Sequence, residues 1–153
     1  MQGPSSVSKQ TWLDITQNLP FLKLIGLEML DIEPGRSKAK LTFRHDLCQP
    51  AGIMHGGVIA TLIDTGIAHA LVMTDAFREL AAEGGSLVSV DLRVKYFRPV
   101  SEGMLFCEST IPRMGRQIFH GESVVVNDAG KEVARGDSIY MAISRERFAK
   151  PKG

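Results

Sequence analysis

The chain has 153 residues, is 44% hydrophobic and 23% charged, and balances 18 Lys and Arg against 17 Asp and Glu. That length suits one domain with a real core and no disulfides or metal, and the composition excludes disordered and fibrous classes. A net charge of +1 gives no basic excess of the kind nucleic-acid binders carry, so no nucleic-acid partner is expected. Cys48 and Cys107 have neither zinc-site spacing nor a disulfide framework. With no signal-peptide pattern at the start, the expected compartment is the reducing cytoplasm, and no metal is expected.

Met1–Val7 is small, polar and proline-containing, the composition of a flexible terminus ahead of a single domain over 8–153. The stretch SKQTWLDITQNLPFLKLIG predicts a short amphipathic helix, capped by Ser8 and ending near Pro20. Leu27–Glu33 and Arg36–Phe43 read as two strands turned at Pro34-Gly35. HDLCQPAGI has loop chemistry.

From His55 the pattern changes. HGGVIATLIDTGIAHALVMTDAF predicts one long helix, with Val58, Ile59, Leu62, Ile63, Ile67, Leu71 and Val72 too many for a single stripe. Its apolar length approaches the ~20 residues of a membrane span. Thr61, Asp64, Thr65 and His69 in its middle, and no basic flank before it, favour a helix buried in a protein core. No membrane partner is expected.

Four strands are predicted to follow. Val88, Val90, Leu92, Val94 and Tyr96 alternate with polar residues at a clean period of two, closed by Pro99. Gly103–Ile111, Gln117–Val126 and Glu132–Ile143 are the others, the last two joined by a turn at Asn127-Asp128-Ala129-Gly130. The class is α+β: a mostly antiparallel sheet on one long buried helix.

Asp64 is the only acidic residue between Asp46 and Asp75, and no Lys or Arg lies three or four positions from it. A carboxylate in an apolar helix is costly unless local hydrogen bonds hold its charge, and Ser89 and Gln49 are the candidates. His55-Gly56-Gly57 stands where the helix begins, a place with unpaired backbone N–H groups and a positive dipole end. Glycines there admit a ligand to the backbone, and such a terminus suits a developing oxyanion. Gly57 and Asp64 are two turns apart and share a face. Each feature also has a bland alternative. A buried Asp can bond a neighbouring hydroxyl, a lone His can be an ordinary loop residue, and paired glycines mark many loop-to-helix joints.

Together the segment Gln49-Pro50-Ala51-Gly52-Ile53-Met54-His55-Gly56-Gly57, with Ala60-Thr61-Leu62-Ile63-Asp64, resembles the signature of hotdog-fold acyl-CoA thioesterases of the phenylacetic-acid-degradation (PaaI-like) type. Val88-Ser89-Val90-Asp91-Leu92 and Tyr96-Phe97-Arg98-Pro99 resemble that family's strand after the helix, and the similarity runs from about Leu24 to Ile143. The resemblance implies a hotdog fold, in which the sheet wraps the helix, and an obligate homodimer or homotetramer with active sites at the subunit interface. It implies that the Gly57 N–H polarises the thioester carbonyl beside Gly56. Asp64 of the facing subunit is then nucleophile or general base, His55 a positioning group, and Ser89 the orienter of the attacking water. Gln49 departs from the asparagine frequent there, but offers the same amide on a longer arm. The implied substrate is an acyl-CoA, and no cofactor beyond it is implied. Arg98, Arg113 and Arg116 are candidates for the CoA phosphates, since guanidinium bonds two phosphate oxygens at once. Ile53, Met54, Val58 and Phe97 could line the acyl pocket or simply be core.

Two other functions fit the fold less well. A hydroxyacyl-thioester dehydratase of this fold typically carries His-Phe-Pro and a helix glutamate, both missing here. A non-catalytic acyl-CoA sensor usually adds a DNA-binding helix-turn-helix, for which the 26 residues before the first strand leave little room.

Overall fold

The computed structural model describes residues 7–147. The flexible stretch expected over 1–7 therefore lies, Val7 apart, outside the described residues. In chain order the elements are α1 (Lys9–Gln17), α2 (Pro20–Ile25), β1 (Leu27–Glu33), β2 (Arg36–Thr42), a 3-10 turn at His45–Leu47, α3 (Gly56–Leu71), α4 (Asp75–Ala82), β3 (Ser86–Tyr96), β4 (Met104–Met114), β5 (Ile118–Asn127) and β6 (Glu132–Ile143), with a last 3-10 turn at Arg145–Arg147.

Ser8 caps α1 as expected, its hydroxyl accepting from the Thr11 N–H at 3.1 Å. Pro20 does not sit near that helix's end. It opens a second helix, where its missing N–H costs nothing and its fixed φ fits the first turn. Gly26, at φ 74°, closes α2 and turns the chain into β1.

All strand pairs are antiparallel, in the order β1-β2-β4-β5-β6-β3. The connection carrying α3 leaves β2 and returns at β3, the far edge, so the helix must cross one whole face of the sheet. It packs against all six strands. Leu62, Ile63, Ile67, Ala70 and Leu71 are fully buried there, against Met29, Leu41, Leu105, Cys107, Val125 and their neighbours. This is the hotdog fold.

The helix is shorter than its apolar run. α3 stops at Leu71, and α4 starts after Thr74 at 82° to it. The Thr74 hydroxyl donates to the Leu71 carbonyl (2.6 Å) and accepts from the Phe77 N–H (3.2 Å), ending one helix and capping the next. The bend lays Phe77 edge-on against Trp12 of α1, ring centroids 5.9 Å apart. Among the described residues no single helix is long and apolar enough to cross a membrane.

The period of two in β3 is also interrupted. A bulge between Ser89 and Asp91 shifts the register against β6, so Ser89 pairs with Tyr140 while Leu92 pairs with Ser138. Tyr140, Ser138, Gly136 and Ala134 point into the core, so Ser89 shares the helix-facing side with Leu92, Val94 and Tyr96, and Val88 faces the other way. Unbroken alternation would put Ser89 and Leu92 on opposite faces. The Ser138 hydroxyl donates to the Asp91 carbonyl at 2.7 Å and pins the bulge.

Close contact of helix and sheet rests on Gly66. An added Cβ there would stand 2.4 Å from the Ser109 Oγ. Ser109 is held by Ser123 at 2.6 Å, and the Gly66 carbonyl accepts from the Ser37 hydroxyl at 2.6 Å, so neither side can readily give. Helix propensity alone would favour Gly66→Ala by about 1 kcal/mol. Overpacking a tight core costs about 1–3 kcal/mol and wins. Urea unfolding of Gly66→Ala is expected to show a net loss of up to about 2 kcal/mol; a gain would contradict this packing.

Candidate active site

The loop before α3 is a tight excursion. The Gln49 N–H donates to the Ile53 carbonyl, the His55 N–H to Leu47 and the Met54 N–H to Val100. Gly52 takes φ 79° at its tip. The Gln49 Oε1 accepts from the Ala51 N–H at 2.7 Å, so this amide shapes its own turn and makes no bond to Asp64.

At the helix start, the His55 Nδ1 accepts from the Gly57 N–H at 2.9 Å. The expected open donor is thus capped by the adjacent imidazole. Both glycines have packing reasons. A Cβ on Gly57 would lie 2.9 Å from the His55 Nδ1, and one on Gly56 would lie 3.2 Å from the Tyr96 ring, whose hydroxyl donates to the Gly56 carbonyl at 2.8 Å. Burial pushes the Tyr96 phenol above its ordinary range. A groove of about 390 Å³ opens beside this point and gathers Gln49, Ile53, Gly56, Tyr96, Phe97 and Arg98, with buried Met54 in its wall. Val58 is not part of it.

Asp64 lies about 10 Å further along the helix. It is half-buried, and its partner is neither Ser89 nor Gln49. The Tyr140 hydroxyl reaches its Oδ1 at 2.7 Å and its backbone carbonyl at 3.0 Å. Burial first, and then the charge and hydrogen bond of Asp64, push the Tyr140 phenol well above its ordinary range. The Asp64 Oδ2 has no hydrogen-bond partner among the described residues. Among the described residues no buried side-chain oxygen or nitrogen is unpaired, so Oδ2 reaches solvent. Ser89 stands opposite Tyr140 on β3, its Oγ 3.2 Å from the Ser138 Oγ. Because the Ser138 proton goes to Asp91, Ser89 is the donor of that pair.

The arginines do not converge within one chain. Arg98 lines the groove at the helix start and donates to the Glu132 carbonyl at 2.6 Å. Arg113 is exposed on β4 opposite His120, and Arg116 lines a separate groove with Glu83 and Arg145. His69, in the last turn of α3, bonds the Thr65 carbonyl and the Thr16 hydroxyl, and burial lowers its pKa, as for a satisfied core histidine. Among the described residues no three His, Cys, Asp or Glu side chains converge to hold a metal.

Residues 51–134 match the thioesterase superfamily. The chain belongs to that family. It is 31% identical over 108 residues to the proofreading thioesterase EntH of Klebsiella pneumoniae, covering 70% of this chain and 74% of EntH. It is 25% identical over 138 residues to the medium/long-chain acyl-CoA thioesterase YigI of Salmonella typhimurium, covering 81% and 86%. The solved structure of the E. coli PaaI protein, from the phenylacetic acid degradation operon, superposes with a TM-score of 0.74 at 20% identity over 88% of this chain and 92% of that one, a likeness of fold.

Tyr140 and Tyr96 are the residues that sequence reasoning missed. Tyr140 carries one faint signal, its even spacing from Ser138 on β6, but nothing in the sequence pairs it with a residue 76 positions away. The His55 cap is directly testable. His55→Ala leaves the Gly57 N–H to water in place of its side-chain cap and is expected to cost about 1 kcal/mol of stability, which His55→Asn largely restores. Equal stability of His55→Ala and the parent in urea would show that the cap contributes nothing.

Proposed function

We propose that this thioesterase-superfamily chain hydrolyses acyl-CoA thioesters to a free acid and CoA, at sites formed between two copies of the chain in a homodimer or homotetramer. The carrying observation is the solvent-open Oδ2 of Asp64, a carboxylate in an otherwise apolar helix. The same-chain helix start is too far away to share its substrate. Even with a water between base and carbon, a carbonyl bonded to a donor separates those two groups by at most about 8 Å, against the ~10 Å helical rise from Gly57 to Asp64. A second copy resolves the mismatch by presenting its own helix start to Asp64.

The edge strand β3 supports that assembly. Val90, Tyr96 and Phe97 on or beside it are 52%, 50% and 51% exposed, an unusual load of apolar surface on an unpaired sheet edge. Pairing of β3 with its copy would cover them.

In this mechanism the thioester oxygen displaces the His55 imidazole from the Gly57 N–H, which then stabilises the oxyanion. Asp64 Oδ2 takes one proton from water while Ser89, whose own O–H donates to Ser138, accepts a hydrogen bond from the O–H that stays on the attacking oxygen. The water oxygen attacks the carbonyl carbon, the C–S bond breaks, and the CoA thiolate recovers the proton from Asp64. Direct attack by Asp64 to give an anhydride uses the same geometry. Gln49 borders the bound carbonyl, and Arg98, with Arg113 and Arg116, meets the CoA phosphates. No cofactor enters the reaction, and the place of action is the cytoplasm.

Thiol release from a panel of benzoyl-, acetyl-, hexanoyl- and lauroyl-CoA tests this reading. Turnover of at least one is expected, with a fall of about a hundredfold or more in Asp64→Asn, the usual low end for losing a positioned base. Binding without turnover would favour a sensor, and full activity in Asp64→Asn would exclude the mechanism.

A further inference from the structure

We propose that Tyr140 is a positioning residue for Asp64, holding its Oδ1 so that Oδ2 alone faces the reacting group. The proposal rests on the catalytic reading of Asp64 above.

The two oxygens of this carboxylate are not equivalent. A phenol has one proton to give, and the 2.7 Å contact to the charged Oδ1 claims it over the 3.0 Å contact to the backbone carbonyl. That carbonyl already accepts a bond within the helix. Tyr140 is only 5% exposed, locked in the strand layer beneath α3, so it can fix what it holds. A free aspartate rotates broadly about its last bond, whereas one pinned oxygen leaves the other a single direction. Catalytic groups must be held to within about half an ångström, and the Tyr140 hydroxyl is the only side-chain anchor that the described residues provide for this carboxylate.

Among the described residues no other group competes for the role. The helix-facing ionisable side chains of the six strands are Cys107, Tyr96 and Tyr140. The Cys107 thiol, pushed up to about 11 by burial, is neutral and engaged near Ser109. Tyr96 is committed to Gly56, and His69 on the helix itself to Thr16 and Thr65. Lys38 and Lys40 on β2 point away from the helix and pair with Glu108 and Glu28. Among the described residues Tyr140 alone holds the Asp64 side chain, and it holds it from the strand beside Ser89.

The test is Tyr140→Phe, which removes one oxygen and keeps the ring. With the acyl-CoA that the parent cleaves fastest in the panel, kcat is expected to fall about tenfold with KM within twofold. In an Asp64→Asn background, assayed at raised protein concentration, the same change is expected to alter the residual rate by less than twofold, because Tyr140 acts only through Asp64. An unchanged kcat in folded Tyr140→Phe overturns the proposal while leaving the Asp64 mechanism standing. An equal loss in both backgrounds overturns it too, by assigning Tyr140 a purely structural role. Full activity of Asp64→Asn, or no turnover by the parent, removes the underlying reading and the proposal with it. Should Tyr140→Phe not fold, the contact is read in Tyr96→Phe, where Tyr140 is the sole tyrosine. Its ultraviolet absorption band at neutral pH is expected to shift to the blue once Asp64→Ala removes the carboxylate that accepts from the phenol, and an unshifted band overturns the proposal.

Discussion

An α-helix that is apolar on nearly every face cannot rest on a flat surface; it has to be enclosed. The path of the chain follows from that constraint. The connection from β2 to β3 spans the whole sheet, so the helix it carries meets all six strands. Enclosure demands close approach, and Gly66 and Gly121 permit it. A Cβ on Gly121 would stand 2.1 Å from an Ile67 methyl carbon. Hydroxyls rather than charges satisfy the buried polar atoms between the layers, with Ser37, Ser109 and Ser123 each bonded at or near the helix. Against this background one carboxylate in the helix is an expensive feature, and a single phenol from β6 offsets it. A hydrogen bond to a charged group contributes about 1.5–3 kcal/mol, enough to tolerate a half-buried Asp but not a fully enclosed one. An Asp64 with one tethered and one solvent-open oxygen fits that balance.

Much of this was legible in the residues. The hairpin at Pro34-Gly35, the Ser8 cap, the turn at Asn127–Gly130 and the helix start at His55 all carry local chemistry, and local chemistry reads well from sequence. What failed to read had non-local causes. Hydrophobic residues run without a gap through Val72 and Met73, so periodicity could not mark the bend that Thr74 makes. The bulge at Val90 was invisible because β3 alternates cleanly in sequence; only pairing with β6 shows the phase change that brings Ser89 to the helix. The Gln49 amide and the Gly57 N–H looked available, and both are used locally by the very loop that carries them. Tyr140 resembled any strand aromatic until the fold laid it under Asp64.

The capped Gly57 N–H gives His55 a double part in the proposed reaction. In the free protein the imidazole satisfies a donor that would otherwise be an orphan of the helix terminus. A bound thioester would take over that bond, so the site is preformed in backbone and exchanges only one side-chain contact. Tyr96 reinforces the same terminus from the adjoining strand, and Gly56 leaves room for its ring.

The central claim is that Asp64 acts together with the helix start of another copy. The most direct measurement mixes Asp64→Asn with Gly57→Pro, each shown beforehand to be folded, oligomeric and nearly inactive, and follows thiol release as subunits exchange. If the two residues come from different chains, each mixed dimer regains one intact site, and activity should rise toward a quarter of the parent's in an equal mixture, where about half the dimers are mixed. Mixed dimers that demonstrably form yet regain no activity would place Asp64 and Gly57 in one chain's site and contradict the account.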